Sequence, residues 1–347
     1  MEKPLLSICI PTYNRAECLK KSLDSLQKLD GFDKVEVVVC DNCSTDDTQL
    51  VCKEFCKQHS NAFYFKNEQN IKDKNFPTVL MKGRGVYRKL VNDNTIYNSG
   101  YLTDLLEFIE RYKDQKPYER PLIVFLNGGG VGMKADTVVE GKSLSDFVRL
   151  AGYRATWIGG FGLWQDDCNG LQHEFSYCDK NLWQTYKSLA LIADGRPYLL
   201  VNRPICSVVA PEKKDLSYGI YTVFCKNYFE LLQPYVEQNK LTSEDLNFAK
   251  KDLLYNYFAK NVFQLMAGAA DIEFGAEKDF RKKILNEYRG EKYYASFCVW
   301  YFWNFKLAKP IGRLWRGVCV RAKNKILPTA FGKKALSFKR KMKVRLY

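Results

Sequence analysis

Histidine is nearly missing from this chain of 347 residues, which holds only His59 and His173. The closest approach to a metal cluster is Cys40, Cys43, Cys52, Cys56 and His59. Two of those cysteines fall inside a motif with a better explanation below, so a zinc site is not the expected reading. Long apolar runs are also lacking. The stretch 293–305 (YYASFCVWYFWNF) is apolar and aromatic but only 13 residues long, against the roughly 20 that a membrane-spanning helix needs. Leu5–Ile10 is too short for a signal-peptide core and is followed by polar Pro-Thr-Tyr-Asn. The twelve cysteines, mostly single in or beside apolar segments, therefore read as reduced thiols used as small hydrophobes. Acidic residues stop at Glu291: residues 292–347 carry 15 Lys and Arg and no Asp or Glu, so the whole net charge of +15 lies there. A block of one sign seeks an anionic partner, a membrane surface or nucleic acid.

What is present is an ordinary globular composition, 46% hydrophobic and 27% charged, which excludes wholesale disorder. The first half alternates strand and helix. Strands are expected at Leu5–Ile10, Val35–Cys40, Ala62–Phe65, Tyr87–Val91 and Pro121–Leu126. Helices are expected at Ala16–Leu29, after a capping box Ser44–Asp47 that would start a helix burying Leu50, Val51 and Phe55, and at Ser99–Tyr112. This order predicts an α/β fold with a mostly parallel sheet flanked by helices. The second half reads as a glycine-rich loop at Gly128–Gly132 and helices at Ser143–Leu150, Leu182–Ala193, Ser243–Phe258 and Phe280–Tyr288. The expected organisation is an α/β half over 1–126, a second half over 127–260, a helical extension over 261–291 and a basic aromatic tail over 292–347.

Two strand ends carry the chemistry. Leu6-Ser-Ile-Cys-Ile-Pro-Thr-Tyr-Asn-Arg15 and Val37-Val-Val-Cys-Asp-Asn-Cys-Ser-Thr-Asp46 each run from a buried strand into a polar turn. In a parallel sheet both turns open at the carboxyl edge, where open α/β folds bind nucleotides. Asp41 at a strand tip has either a ligand role or a plain turn role. The paired motif resembles the family 2 glycosyltransferases of GT-A fold, in the branch related to abequosyltransferases. That resemblance covers about residues 5–112 well and the middle of the chain loosely. It implies that Pro11, Thr12, Tyr13 and Arg15 line the nucleotide pocket, with Asp41 on the base or ribose and Asn42, Asn67 and Asn92 nearby. Asn67-Glu-Gln-Asn70 matches the family's Asn-x-x-Asn segment, but Ile71-Lys72 stands where the family usually has Leu-Gly.

Gly85-Val-Tyr-Arg-Lys-Leu-Val-Asn-Asp-Asn94 stands where the family has a strand ending in an acidic, metal-holding cluster. Here Asn92 and Asn94 flank a single carboxylate, Asp93. The resemblance implies a divalent cation, Mg²⁺ or Mn²⁺, on Asp93 and Asn94, bound more weakly than usual because amides bring no charge. For an inverting reaction the general base is expected within Trp157-Ile-Gly-Gly-Phe-Gly-Leu-Trp-Gln-Asp-Asp167, as Asp166 or Asp167, with Trp157 or Trp164 stacking on a sugar. Glu244 and Asp245 are weaker candidates, since helix capping explains them. The implied reaction moves a sugar from a nucleoside diphosphate sugar to a polyprenyl-diphosphate-linked glycan, in O-antigen or capsule assembly. The basic tail would hold the enzyme on an anionic membrane surface, peripheral on the cytoplasmic face of a bacterial inner membrane, and no nucleic-acid partner is expected. Two rivals remain at this point: a catalytically weak nucleotide-sugar-binding protein, and a nucleic-acid-binding protein that uses the tail.

Overall fold

A computed structural model describes residues 3–209, 219–262, 277 and 279–304. The chain begins with β1 (Leu6–Thr12), α1 (Ala16–Leu26), β2 (Val35–Asp41), α2 (Thr48–Gln58), β3 (Ala62–Lys66), α3 (Asn75–Lys82) and β4 (Tyr87–Leu90). β5 (Thr95–Tyr97), α4 (Tyr101–Tyr112), β6 (Leu122–Phe125), β7 (Thr137–Gly141), α5 (Leu144–Ala151) and β8 (Gly162–Trp164) follow. The second half adds α6 (Trp183–Ala193), β9 (Tyr198–Asn202), β10 (Cys206–Val208), α7 (Tyr228–Glu237), α8 (Ser243–Asp252), α9 (Phe280–Glu287) and α10 (Tyr294–Tyr301).

The first sheet has the order β3-β2-β1-β4-β8. β1, β2, β3 and β4 are parallel, and β8 closes the edge antiparallel to β4. Every residue of β1 and β2 is buried, as expected of strands covered on both faces. Each buried Val, Leu or Ile there contributes about 1.5–3 kcal/mol. Register matters most at the strand ends: Thr12 lies opposite Asp41, so both turns open at the same edge. The fold class is therefore the expected one, α/β with a mostly parallel sheet and flanking helices.

Three details differ from the expectation. β6, read from sequence as the last strand of the first half, pairs instead with β9 and β7 in a second sheet of order β6-β9-β7. α2 begins at Thr48 rather than at a Ser44–Asp47 capping box, and Leu50 on it is exposed while Cys52 and Phe55 are buried. In β4, Lys89 interrupts the apolar pattern yet is fully buried, because its ammonium donates to the carbonyls of Gly159 (2.7 Å) and Phe161 (2.9 Å). Burial pushes its pKa well below the ordinary lysine value. That contact binds the loop ahead of β8 to β4. Gly160 completes the fit, since a Cβ there would lie 2.6 Å from the Phe125 carbonyl oxygen.

α8 starts as its sequence suggests. Thr242 caps it, and Asp245 closes a capping box. Asp245 also accepts from Ser145 and Arg149. Burial opposes its ionisation, but the hydrogen bonds from Thr242, Ser145 and Arg149 win and hold it at about 2. Its role is structural.

Candidate active site

The carboxyl edge of β1, β2 and β4 gathers the polar residues of the strand-end motifs. Thr12, the last residue of β1, donates from Oγ1 to Asp93 Oδ2 (3.0 Å). Arg15 donates from Nη1 to Asp93 Oδ1 (3.2 Å). The Asp93 side chain is 7% exposed and that of Arg15 is 26% exposed, so the carboxylate lies just inside the rim and the guanidinium at it. Tyr13 is 42% exposed at the same strand end, whereas Pro11 within β1 is buried.

The turn after β1 and the turn after β2 are laced together. Asn14, in the left-handed region at φ 50°, accepts at Oδ1 from the Thr45 amide (2.8 Å), and its own amide donates to Ser44 Oγ (2.9 Å). Asp46 accepts at Oδ2 from the Ala16 amide and at Oδ1 from the Thr48 amide, both at 3.1 Å. One carboxylate thus serves the first turns of α1 and α2, which have no cap from their own N-cap side chains. Desolvation opposes its charge, but the bonds from Thr48 and Ala16 outweigh it and keep Asp46 below the ordinary carboxylate range. A negative charge at two helix N-termini is favoured by both dipoles.

Asp41 is fully buried. Its Oδ1 accepts from the Ser44 amide and its Oδ2 from the Tyr64 hydroxyl, both at 2.8 Å. In this structure its carboxylate makes the turn contacts, and the base or ribose role stays an expectation. Asn42 and Asn67 are likewise turned inward. Asn42 donates to Asn70 Oδ1 (2.8 Å) and accepts from the Ile71 amide (2.8 Å) and from Asn67 Nδ2 (3.2 Å). Asn67 continues to Asn75, which donates to the Cys40 carbonyl. This amide network fixes the ends of β2 and β3 against α3; sequence reading singled out Asn42, Asn67 and Asn70 but neither Asn75 nor their mutual use.

Around Asp93 the amides differ. Asn94 Nδ2 donates to the Val209 carbonyl (3.1 Å), and the Val209 amide donates back to the Asn94 carbonyl (2.8 Å). That fixes the side-chain amide and leaves its Oδ1 buried with no hydrogen-bond partner. Asn92 Oδ1 is also buried and unpartnered. Buried oxygens without donors are costly unless a ligand supplies what is missing. Two such oxygens flanking a carboxylate are hard donors of the kind that divalent cations take. Among the described residues no group of three or more His, Cys, Asp and Glu is placed to hold a metal, so any cation here rests on one carboxylate and two amides.

Asp166 and Asp167 do not reach this edge. β8 runs antiparallel to β4, with Tyr87 opposite Trp164. The chain therefore leaves β8 at the amino edge of β4, while Asp93 lies beyond its carboxyl end. At about 3.3 Å per residue along each strand, the separation is on the order of 20 Å. Both aspartates are also engaged. Asp167 forms a two-pronged ion pair with Arg196 (2.6 and 2.9 Å), and Asp166 pairs with Arg120. Strand direction thus places both expected base candidates away from Asp93. Trp164 is excluded as a sugar platform too, being fully buried with its indole N–H on the Pro121 carbonyl (2.8 Å). Trp157 precedes β8 in the loop held by Lys89 and is on the reactive side.

Comparison with known proteins agrees with the strand-end motifs. The chain is 34% identical over 107 residues to the GalNAc(5)-diNAcBac-PP-undecaprenol beta-1,3-glucosyltransferase of Campylobacter jejuni, covering 30% of this chain and 34% of that protein. It is 34% identical over 86 residues to abequosyltransferase RfbV of Salmonella typhimurium, covering 24% of this chain and 26% of that one. The chain thus spans about a third or less of the length of these relatives. Among solved structures, S. aureus TarS 1–349 in complex with UDP-GlcNAc superposes with a TM-score of 0.49 at 15% identity, over 81% of this chain and 79% of that one. The mannosyltransferase PcManGT from Pyrobaculum calidifontis, in complex with GDP-Man and Mn²⁺, superposes with a TM-score of 0.45 at 16% identity, over 88% and 89%. The profile of glycosyl transferase family 2 matches residues 7–116, the span that holds β1 to β4, Asp93 and their turns. By its strand-end motifs and this match, which spans about a third of the chain, the segment 7–116 is similar to glycosyl transferase family 2.

Proposed function

We propose that this protein is an inverting glycosyltransferase that moves a sugar from a nucleoside diphosphate sugar to a lipid-linked glycan. The observation that carries the proposal is Asp93, held by Thr12 and Arg15 at the carboxyl edge and flanked by the unpartnered oxygens of Asn92 and Asn94. In this reading Tyr13 offers an exposed ring to the nucleobase, and Arg15 presents its guanidinium to the diphosphate. Asp93, Asn92 and Asn94 would hold a Mg²⁺ or Mn²⁺ ion, whose chemistry is to neutralise the diphosphate as it leaves. Arg15 already balances the Asp93 charge, so this cation would be weakly held. Thr12 keeps the carboxylate in one rotamer. The buried Lys89 fixes the loop that carries Trp157, a platform for a sugar ring on the reactive side. Asp41, Asn42, Asn67 and Asp46 act by keeping the two turns in place.

A polyprenyl-diphosphate-linked acceptor and a setting in O-antigen or capsule assembly are supported by what the Campylobacter and Salmonella relatives are named for. Such an acceptor places the enzyme at the cytoplasmic face of a membrane. Among the described residues no helix is long and apolar enough to cross one, and the basic residues 292–347 would provide the attraction to anionic lipid. The experiment is a panel of UDP- and GDP-sugars with purified chain, read as nucleotide release with and without a polyprenyl-diphosphate disaccharide, in Mn²⁺ and in EDTA. Acceptor-stimulated release with one donor is the expected result. Nucleotide binding without release for any donor would mean a binding protein instead.

A further inference from the structure

The apolar stretch at the end of the described chain serves two environments at once. One side of α10 belongs to the core. Phe297 is fully buried edge-to-face against Tyr255 (5.0 Å), Trp300 packs on the same ring (4.8 Å), and Tyr301 stacks on Phe297. Among the described residues the other side meets nothing. Ala295 and Cys298 are exposed, as are Val299 (60%) and, in the following turn, Phe302 (53%) and Trp303 (61%). No charged side chain interrupts positions 293–305. The rim of this face is basic: Arg289 and Lys292 precede the helix, and Lys251 approaches Tyr255 and Tyr293 at 5.9 Å, all three exposed. The acidic neighbours Glu287 and Glu291 are engaged by Tyr221 and Lys250. Beyond this face the sequence continues through residues 305–347 with basic residues and no acidic one.

We infer that the outer face of α10 is an interfacial membrane contact, with Val299, Phe302 and Trp303 inserted at the headgroup–acyl boundary of an anionic bilayer and the basic rim on its phosphates. A helix lying in the interface buries one apolar face and needs cationic groups beside it, and an indole suits that depth. The length is too short to span. Because the opposite face of α10 is core, the contact is rigidly joined to the catalytic unit rather than hung on a flexible linker. The inference deepens the proposed use of a lipid-linked acceptor but does not depend on catalysis.

The test uses the full chain and vesicles of phosphatidylcholine, alone or mixed in equal parts with phosphatidylglycerol, without donor or acceptor. Sedimentation with the anionic vesicles only is expected, together with quenching by bromolipid of a fluorescence component that Trp303→Phe removes. Combining Val299→Ser, Phe302→Ser and Trp303→Ser should lower partitioning by roughly tenfold or more while leaving the melting temperature in solution unchanged. Undiminished binding of the triple variant would overturn the inference. So would a lower melting temperature or a change from dimer to monomer in that variant, since either means that the chain itself or a second copy covers the face. Nucleotide release on a soluble acceptor analogue reads the transferase proposal separately, so the two can fail independently.

Discussion

Replacing Asp93 by asparagine removes one negative charge and little else. The single amide oxygen can still accept from Arg15 while the new NH2 donates to the Thr12 hydroxyl, which can accept, so the fold around β4 should persist. The electrostatics change in two directions. The Arg15 guanidinium, relieved of its pairing with Asp93, becomes a better anion site, and a repulsive carboxylate beside the incoming diphosphate is gone. For charges several ångströms apart near a protein surface this is worth about 1–2 kcal/mol, or roughly fivefold to thirtyfold in affinity. In EDTA, Asp93→Asn is therefore expected to bind UDP or GDP more tightly than the natural chain. Any cation, conversely, loses its sole carboxylate ligand, so stimulation of turnover by Mn²⁺ should disappear. Calorimetry with and without Mn²⁺, paired with nucleotide release, measures both signs in one series. Unchanged affinity in EDTA and full Mn²⁺-stimulated turnover in the variant would refute the assignment of Asp93 and Arg15 to the diphosphate site.

Asp41→Asn should cost about 1.5–3 kcal/mol of stability, the range for a hydrogen bond to a charged group, seen in urea unfolding; unchanged stability with a selective loss of nucleotide affinity would return Asp41 to the donor site. Asp167→Asn leaves Arg196 poorly paired and should destabilise by about 3–5 kcal/mol while the folded fraction keeps its kcat, whereas a folded but inactive variant would restore Asp167 as the base. Asp245 has a folded-state pKa of about 2, below its unfolded value near 3.9. Its contribution is therefore present above about pH 4 and lost as the pH falls towards 2, and Asp245→Asn should flatten acid unfolding in that window. A chain ending at residue 291 loses the buried Phe297, a change worth about 3–5 kcal/mol in thermal or urea unfolding.

Much of the fold could be read from residues because its strands are buried on both faces. Runs such as Val35–Cys40 and Pro121–Leu126 have no competing helical period, and each is bounded by polar turns. The location of Asp93 followed from the same logic, one short turn beyond a strand. What could not be read were partnerships across the sheet. Nothing local in Gly162–Trp164 says that it pairs antiparallel with β4, yet that single direction moves Asp166 and Asp167 to the wrong edge. The residue type of Asp41 fits a ligand and a turn equally well, and the approach of Tyr64 from β3 was not legible. Lys89 breaks the apolar pattern of β4, and its carbonyl partners are 70 residues or more away in sequence. Leu50 marks the converse error: five residues before Phe55, it lies about 140° round α2 from that buried side chain and faces water.

The shared carboxylate of Asp46 has a dynamic consequence. Because it receives the Ala16 amide with one oxygen and the Thr48 amide with the other, neither loop can loosen its helix start without disturbing the other. The two turns form one cooperative opening unit, so their amide protons should exchange with solvent together rather than in sequence. A nucleotide lodged between them would then be released in a single motion, and the rate of that motion would set how fast spent nucleotide departs.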